Sequence, residues 1–240
     1  GATHSYFGHD DWSPHAPGLK SIEDALEIRR RVFLAYEAAE READPAAQAA
    51  WLRFVVVGAG PTGVELAGAL GEIGLHTLAK DFRTIDPTRV EVLLIEGNPR
   101  VLGGFAPSLG AAAAASLGRR HVTVRCDTKV TAVDGDGVEV QLADGRRERI
   151  AARTVLWAAG VKASPLAASL GVPLDGAGRV KVEADLAIPG HPEVFVVGDL
   201  AACACDGKPG AGVCQGAIQG GRHAARMICA DLAGGKRAPC

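Results

Sequence analysis

The chain has 240 residues, enough for one large domain or two modest ones, and 48% are apolar, so a sizeable core can form. A net charge of −2 gives no cationic footprint for nucleic acid, and no run reaches the ~18 apolar residues of a spanning helix. Six cysteines, Cys126, Cys203, Cys205, Cys214, Cys229 and Cys240, form no C-x-x-C pair. No secretory leader is visible in the polar opening residues, and reduced thiols in a cytoplasmic setting are the expectation. Cys203, Cys205 and Cys214 lack a fourth ligand, and they are expected to pack as small residues and not to hold a metal.

Residues 1–18 read as a loop rich in glycine, proline and histidine, with His4, His9 and His15 solvated. The opening Gly-Ala-Thr looks like the end of a segment and not a start. Ser21 is a plausible N-cap with Asp24 three residues on, opening a helix. Ile22, Leu26, Phe33 and Tyr36 mark its apolar stripe, with residues 29–31 on a solvated face. Asp44-Pro45 ends it, and 46–50 reads as a second short helix.

Residues 54–68, FVVVGAGPTGVELAG, organise the chain around them. The apolar run 54–57 lacks alternation, as in a strand covered on both faces. Gly58, Gly60 and Gly63 then make G-x-G-x-x-G at the start of a helix. The first glycine permits the turn, the second lets backbone approach a pyrophosphate, and the third lets helix and strand pack closely. Pro61 and Thr62 stand at the helix start, where free N–H groups and the positive dipole end favour phosphate. Ala67 is small and faces the sheet. A second strand over 90–96 ends in Glu96, whose carboxylate can accept ribose hydroxyls and repel a 2′-phosphate, favouring NADH over NADPH. Glu96 lies further from the turn than the usual ~20 residues, so 75–88 is read as an insertion. Arg100 is the nearby cation that weighs against full NADPH exclusion.

A turn at 97–99, a helix over 107–117 and a third parallel strand at 122–125 come next. Strands at 129–133 and 137–142 form a hairpin around Asp134-Gly-Asp-Gly137, and Asp144-Gly145 turns toward 149–150. The buried strand 154–157 ends in Ala158-Ala159-Gly160, small enough to admit a nucleotide. This closes one doubly wound unit from 50 to about 161. Beyond it come a short helix at 166–170, a strand at 180–182 and a turn at Gly190. A strand over 193–199 ends in Gly198-Asp199, with a loop after it over 211–216. The last helix, 217–232, is expected to face inward through Ile218, Ala225, Ile228 and Leu232.

Together, 58–67 with Glu96, the Ala158-Ala-Gly strand end and 194–199 resemble the two-dinucleotide-binding flavoproteins. Within them the sequence most resembles the type II NADH:quinone oxidoreductases. Residues 5–10, 16–20 and 24–25 resemble their interdomain segment, and 60–65 their nicotinamide loop. Residues 212–220, GVCQGAIQG, resemble an Ala-Gln-Gly-Ala-Ile-Gln loop, with Cys214 where alanine is usual. The resemblance implies an α/β fold: a doubly wound Rossmann-like NAD domain (51–162) inserted in an incomplete FAD-binding domain of glutathione-reductase type. Residues 1–20 and 163–240 would belong to the FAD domain and 21–50 to linking helices. The first flavin-binding glycine motif and the membrane-binding C-terminal region are absent from the sequence.

The resemblance also implies roles. Gly58, Gly60, Pro61, Thr62 and Gly63 would hold the NADH pyrophosphate and Glu96 the adenosine ribose. Glu65 would lie near the nicotinamide carboxamide; without the resemblance it is as readily a first-turn acid favoured by the dipole. Gly198 and Asp199 would meet the FAD ribitol, with Ala159, Gly160, Ala217 and Ile218 bordering the cofactors. Gln215 and Gln219 would border a quinone, or else simply cap and solvate a helix start. The implied activity passes a hydride from NADH to FAD and two electrons to a quinone. The full-length form would be peripheral on the cytoplasmic face of the membrane, with a homodimer among the expectations. A related sulfide:quinone or ferredoxin reductase, or a non-catalytic NAD-binding module, stays open.

Overall fold

The structure, a computed structural model, describes residues 1–205, 208–209 and 212–240. In chain order come β1 (Ala2–His4), α1 (Ile22–Arg41), α2 (Pro45–Trp51), β2 (Arg53–Val57), α3 (Pro61–Glu72) and β3 (Glu91–Ile95). Next are α4 (Pro107–Gly118), β4 (Val122–Arg125), β5 (Lys129–Asp134), β6 (Gly137–Gln141), β7 (Arg147–Ala151) and β8 (Thr154–Trp157). The remainder holds β9 (Val161–Ala163), α5 (Leu166–Ser169), β10 (Val180–Lys181), β11 (Ala187–Ile188), β12 (His191–Phe195), β13 (Ala201–Ala202) and α6 (Cys214–Leu232). The chain divides into two compact units, Ser5–Gly160 and Gly1–His4 with Val161–Cys240.

The larger unit is built on a parallel sheet of order β4-β3-β2-β8, with Val56 opposite Leu94 and Leu156, and Leu94 opposite Val124. Side chains alternate between two buried faces, which is why the strands read as unbroken apolar runs. Phe54, Val56, Val92, Leu94 and Leu156 meet the helices, through Val32, Ala35 and Tyr36 of α1 and Ala67 and Leu70 of α3. Val55, Val57, Leu93, Ile95, Val155 and Trp157 face an antiparallel ribbon, β5-β6-β7, through Val130, Val133, Val138, Val140 and Ile150. Tyr6, Trp12 and Ala16, from the loop before α1, complete that second core.

The expected capping box forms at α1: the Asp24 amide donates to Ser21 Oγ (3.1 Å) and the Ser21 amide to Asp24 Oδ2 (3.0 Å). The inward stripe of α1 differs. Ile28, Val32, Ala35, Tyr36 and Ala39 are buried, while Ile22, Leu26 and Phe33 are exposed. The buried face is turned about 100° around the axis from the expected one; Ala35 and Ala39 let this face approach the sheet closely. Nor is Arg31 merely solvated: its guanidinium donates to the carbonyls of Pro14 (2.8 Å) and His15 (3.1 Å), fastening the 5–17 loop to α1. The insertion before β3 is fastened too. Glu40 of α1 accepts from the amides of Arg83, Thr84 and Ile85, and Phe82 stacks on Tyr36 at 5.8 Å.

In the smaller unit β1 pairs antiparallel with β9, β10 parallel with β13, and β11 antiparallel with β12, over a core of Ala167, Val180, Ile188, Val196, Leu200 and Ala201. The strand expected over 193–199 is displaced: β12 ends at Phe195, and Gly198–Leu200 is a single 3₁₀ turn. Of the loop expected over 211–216, residue 211 lies outside the described residues, and α6 already begins at Cys214. Its inward face is also corrected. Gly220, His223, Ala224 and Met227 are buried, whereas Ile218, Ala225, Ile228 and Leu232 are exposed. Gly220 lies at this contact, where a Cβ would just touch Leu186 and Val197, both at 3.4 Å.

Candidate dinucleotide and flavin sites

The glycine turn sits at the carboxyl end of β2, beside the ends of β3 and β8. Gly58 has φ +97°, and a Cβ on it would stand 2.3 Å from Ala159 Cα. A Cβ on Gly63 would stand 1.8 Å from the Gly58 carbonyl oxygen. These two glycines are therefore required by the protein's own packing. Gly60 is different: it is the extended N-cap of α3, with open space where its Cβ would be. Pro61 takes the first helical position, where its missing N–H removes no bond, and no side chain caps α3. The helix start is thus left to an outside anion.

Glu96, just past β3, reaches back to this turn. Its Oε2 accepts the Ala59 amide (2.7 Å), and its Oε1 accepts the Asn98 amide (2.9 Å) and Nδ2 (2.6 Å). Sequence reasoning gives this acid a ribose and misses that it also fixes the turn. Arg100, the cation nearby, donates to the carbonyls of Gly103 (2.6 Å) and Phe105 (2.9 Å).

A cavity of about 580 Å³ opens across the strand ends. Gly58, Glu96, Asn98, Thr128 and Ala159 line it, joined by Tyr6, Phe7, His9, Trp12 and Trp157. Sequence reasoning misses the aromatic wall as a site feature, because 5–10 reads only as a link between domains. A signal is nevertheless present: Tyr6, Phe7, His9 and Trp12 crowd four rings into residues 6–12 of an otherwise aromatic-poor chain. Tyr6 stacks on Trp157 at 5.2 Å, and His9 on Trp12 at 4.2 Å. Burial, then Asp24 and Asp10, push the Tyr6 phenol above its ordinary pKa, so it stays protonated and donates to the Ala16 carbonyl (2.8 Å). Gly160 does not line the cavity; a Cβ there would meet the Phe7 ring at 2.7 Å. Glu65 is exposed and faces a shallow groove with Glu72, Ser116 and Arg120, apart from the larger cavity.

In the smaller unit, the Gly198-Asp199 turn and the start of α6 converge. Gly198 has φ +67°, and a Cβ on it would stand 2.9 Å from Ala217 Cβ; one on Gly212 would stand 3.6 Å from Asp199 Oδ1. No side chain caps α6 at Val213. A carboxylate, two glycines and an uncapped helix start are a donor set suited to a polyhydroxyl chain joined to phosphate. Gln215, Ile218 and Gln219 are exposed on the first turns of α6, and the Cys214 thiol donates to Gln215 Oε1 (3.2 Å). Among the described residues no cluster of His, Cys, Asp or Glu is placed to hold a metal, and no helix is long and apolar enough to cross a membrane.

A parallel sheet with a glycine turn and an acid at the next strand end defines a pyridine-nucleotide-binding protein. The model of the pyridine nucleotide-disulphide oxidoreductase family matches residues 12–223, and the chain belongs to that family. It is 50% identical over 238 residues to the type II NADH:quinone oxidoreductase Ndh of Mycobacterium tuberculosis, covering 98% of this chain and 50% of the relative. Identity to the Staphylococcus haemolyticus type II NADH:quinone oxidoreductase is 31%, covering 92% of this chain and 54% of the relative. The chain thus spans about half the length of the curated relatives it matches. Among solved structures, NDH2 from Plasmodium falciparum in complex with NADH has a TM-score of 0.75 at 22% identity, covering 84% of this chain and 42% of that one. A ferredoxin reductase from Rhodopseudomonas palustris has a TM-score of 0.70 at 22% identity, covering all of this chain and 51% of that one. These structural likenesses bear out the α/β dinucleotide-binding fold.

Proposed function

We propose that the protein to which this chain belongs passes a hydride from NADH to FAD and then two electrons to a membrane quinone. The observation that carries the reading is the glycine turn at a parallel strand end with Glu96 bonded to it, on a chain half identical to Ndh. In this reading the turn of Gly58, Gly60, Pro61, Thr62 and Gly63 holds the pyrophosphate: the Thr62 and Gly63 amides and the α3 dipole attract it, and Gly58, Gly60 and Pro61 shape the turn. Glu96 takes the adenosine ribose and repels a 2′-phosphate, with Arg100 already committed to backbone carbonyls. Asp199, with Gly198, meets the flavin ribityl chain beside Ala217 and Ile218, and in the larger unit Ala159 borders the nucleotide. Bound flavin supplies the two-electron acceptor for the hydride; the protein aligns the partners and excludes water. The family resemblance would set Glu65 near the nicotinamide carboxamide, although its side chain faces a groove apart from the cavity, and Gln215 and Gln219 border the quinone. The full-length form sits at the cytoplasmic membrane surface without spanning it.

Calorimetric titration of the chain with NADH and NADPH tests the first step, with tighter NADH binding expected. A folded chain that ignores both overturns the reading. In the full-length protein, Cys214→Ala is expected to retain NADH–quinone turnover; its loss would favour a sulfide-type redox cysteine instead.

A further inference from the structure

Phe7 is held in a backbone conformation that bulky side chains avoid, with φ +53°, and Gly8 beside it has φ +93°. Single left-handed residues are ordinarily glycine, asparagine or aspartate, and a bulky one persists only where its surroundings impose it. Here they do. The Ser5 amide donates to the Gly160 carbonyl (3.1 Å), and Trp157 Nε1 donates to the Ser5 carbonyl (2.8 Å), so the backbone leading into the bend is pinned from both sides. The strain is not repaid by burial, because Phe7 remains 68% exposed. Only one part of the ring is engaged, lying over Gly160 and edge-on to Trp157 at 6.4 Å. A strained bend that presents an aromatic ring to solvent, at the rim of a cavity shared with Gly58 and Glu96, is arranged for something other than core packing.

The side of the cavity matters. The glycine turn stands at the end of β2. Glu96, Asn98 and Thr128 lie toward β3 and β4, while Phe7, Trp157 and Ala159 lie toward β8. If Glu96 takes the adenosine ribose, the dinucleotide crosses the turn at its pyrophosphate and its other half runs toward β8.

We infer that Phe7 is an aromatic shelf for the pyridine half of the dinucleotide, a specificity-determining residue that stacks on the nicotinamide ring. The inference rests on the NADH reading above. An aromatic face suits the planar ring and suits it better still when oxidised, since the pyridinium adds a cation–π attraction.

The test uses the whole 240-residue chain and three variants, Phe7→Leu, Phe7→Asn and Phe7→Tyr, each titrated with NAD⁺, NADH and ADP-ribose and melted without ligand. Leucine keeps the bulk and removes the π face. Asparagine relieves the backbone. Tyrosine keeps the ring. Phe7→Leu and Phe7→Asn are expected to weaken NAD⁺ and NADH about tenfold while moving ADP-ribose by less than about twofold, with Phe7→Tyr near wild type. Phe7→Asn is expected to melt no lower than wild type, because the left-handed bend suits asparagine. Unchanged affinity for NAD⁺ and NADH overturns the shelf, as does an equal loss for ADP-ribose or a lowered melting temperature of Phe7→Asn. A wild-type chain that binds none of the three ligands overturns the NADH reading itself, and the shelf with it.

Discussion

Two alanine substitutions in the glycine turn separate what the fold needs from what the nucleotide needs. In Gly63→Ala the new Cβ would stand 1.8 Å from the Gly58 carbonyl oxygen, against the 3.4 Å at which ordinary contact begins. The helix or the turn must therefore yield by about 1.6 Å, and both are backbone. Overpacking of this kind costs about 3 kcal/mol or more, which lowers the melting temperature of a chain this size by roughly 6–12 °C. Gly60→Ala meets nothing within 4 Å, and its extended backbone tolerates a side chain. Stiffening the unfolded chain offsets the poorer N-cap, leaving stability within about 1 kcal/mol. Its methyl group nevertheless stands where backbone must approach the pyrophosphate. Differential scanning calorimetry and NADH titration on both variants read the two effects. The expected outcome is a melting temperature lowered by about 6–12 °C or more in Gly63→Ala and, in Gly60→Ala, a melting temperature near wild type with NADH affinity reduced at least tenfold. Gly60→Ala that binds NADH like wild type would refute the placement of the pyrophosphate.

Glu96→Ala removes the acceptors of the Ala59 and Asn98 donors and the expected ribose contact. NADH binding should weaken by about 1.5–3 kcal/mol, and the preference over NADPH should collapse in parallel titrations. Gly198→Ala places a methyl 2.9 Å from Ala217 Cβ at φ +67°; a bend costing about 1–2 kcal/mol should speed amide hydrogen exchange in the first turns of α6. Glu40 is held down to about pKa 2 by the Thr84 side chain and the backbone amides of residues 83–85. Its folded pKa lies below the ordinary 4.5, so its stabilisation is present above about 4.5 and lost as pH falls toward 2. Glu40→Gln should flatten the stability–pH curve in that window and leave its shape at higher pH unchanged, as chemical denaturation across pH would show.

The parallel strands, their order along the chain, the ribbon and the glycine turn are legible in the sequence because each rests on local chemistry: apolar runs, Asp-Gly hairpin signals and G-x-G-x-x-G. The inward faces of α1 and α6 are not. In both, hydropathy places large apolar residues inside, and the structure instead buries faces carrying Ala35 and Ala39, or Gly220 and Ala224. Close approach to a neighbour depends on the smallest residues at the contact, and hydropathy weights them least. The aromatic wall escapes for another reason. Tyr6 and Trp12 lie at one end of the larger unit's sequence and Trp157 at the other. The bond from Trp157 Nε1 to the Ser5 carbonyl that joins them spans 152 positions, a long-range contact without a local pattern.

Glu96 carries one more consequence, because its acceptor capacity is limited. An ionised carboxylate has about four lone-pair sites, and three are taken by Ala59 N, Asn98 N and Asn98 Nδ2. A ribose diol brings two donors, so one internal bond must yield. The Ala59 and Asn98 amides belong to the backbone of the turns, and releasing either would deform the site that the ribose is entering. The Asn98 side chain can rotate away at the cost of one hydrogen bond, about 1 kcal/mol. Asn98→Ala removes that competitor in advance. NADH affinity in this variant is expected to equal wild type or exceed it by up to about fivefold, with Glu96 still fastened to Ala59, and isothermal titration reads the change directly. A tenfold loss of affinity would instead make Asn98 a direct ligand of the nucleotide, and the carboxylate would then have to take the diol without giving anything up.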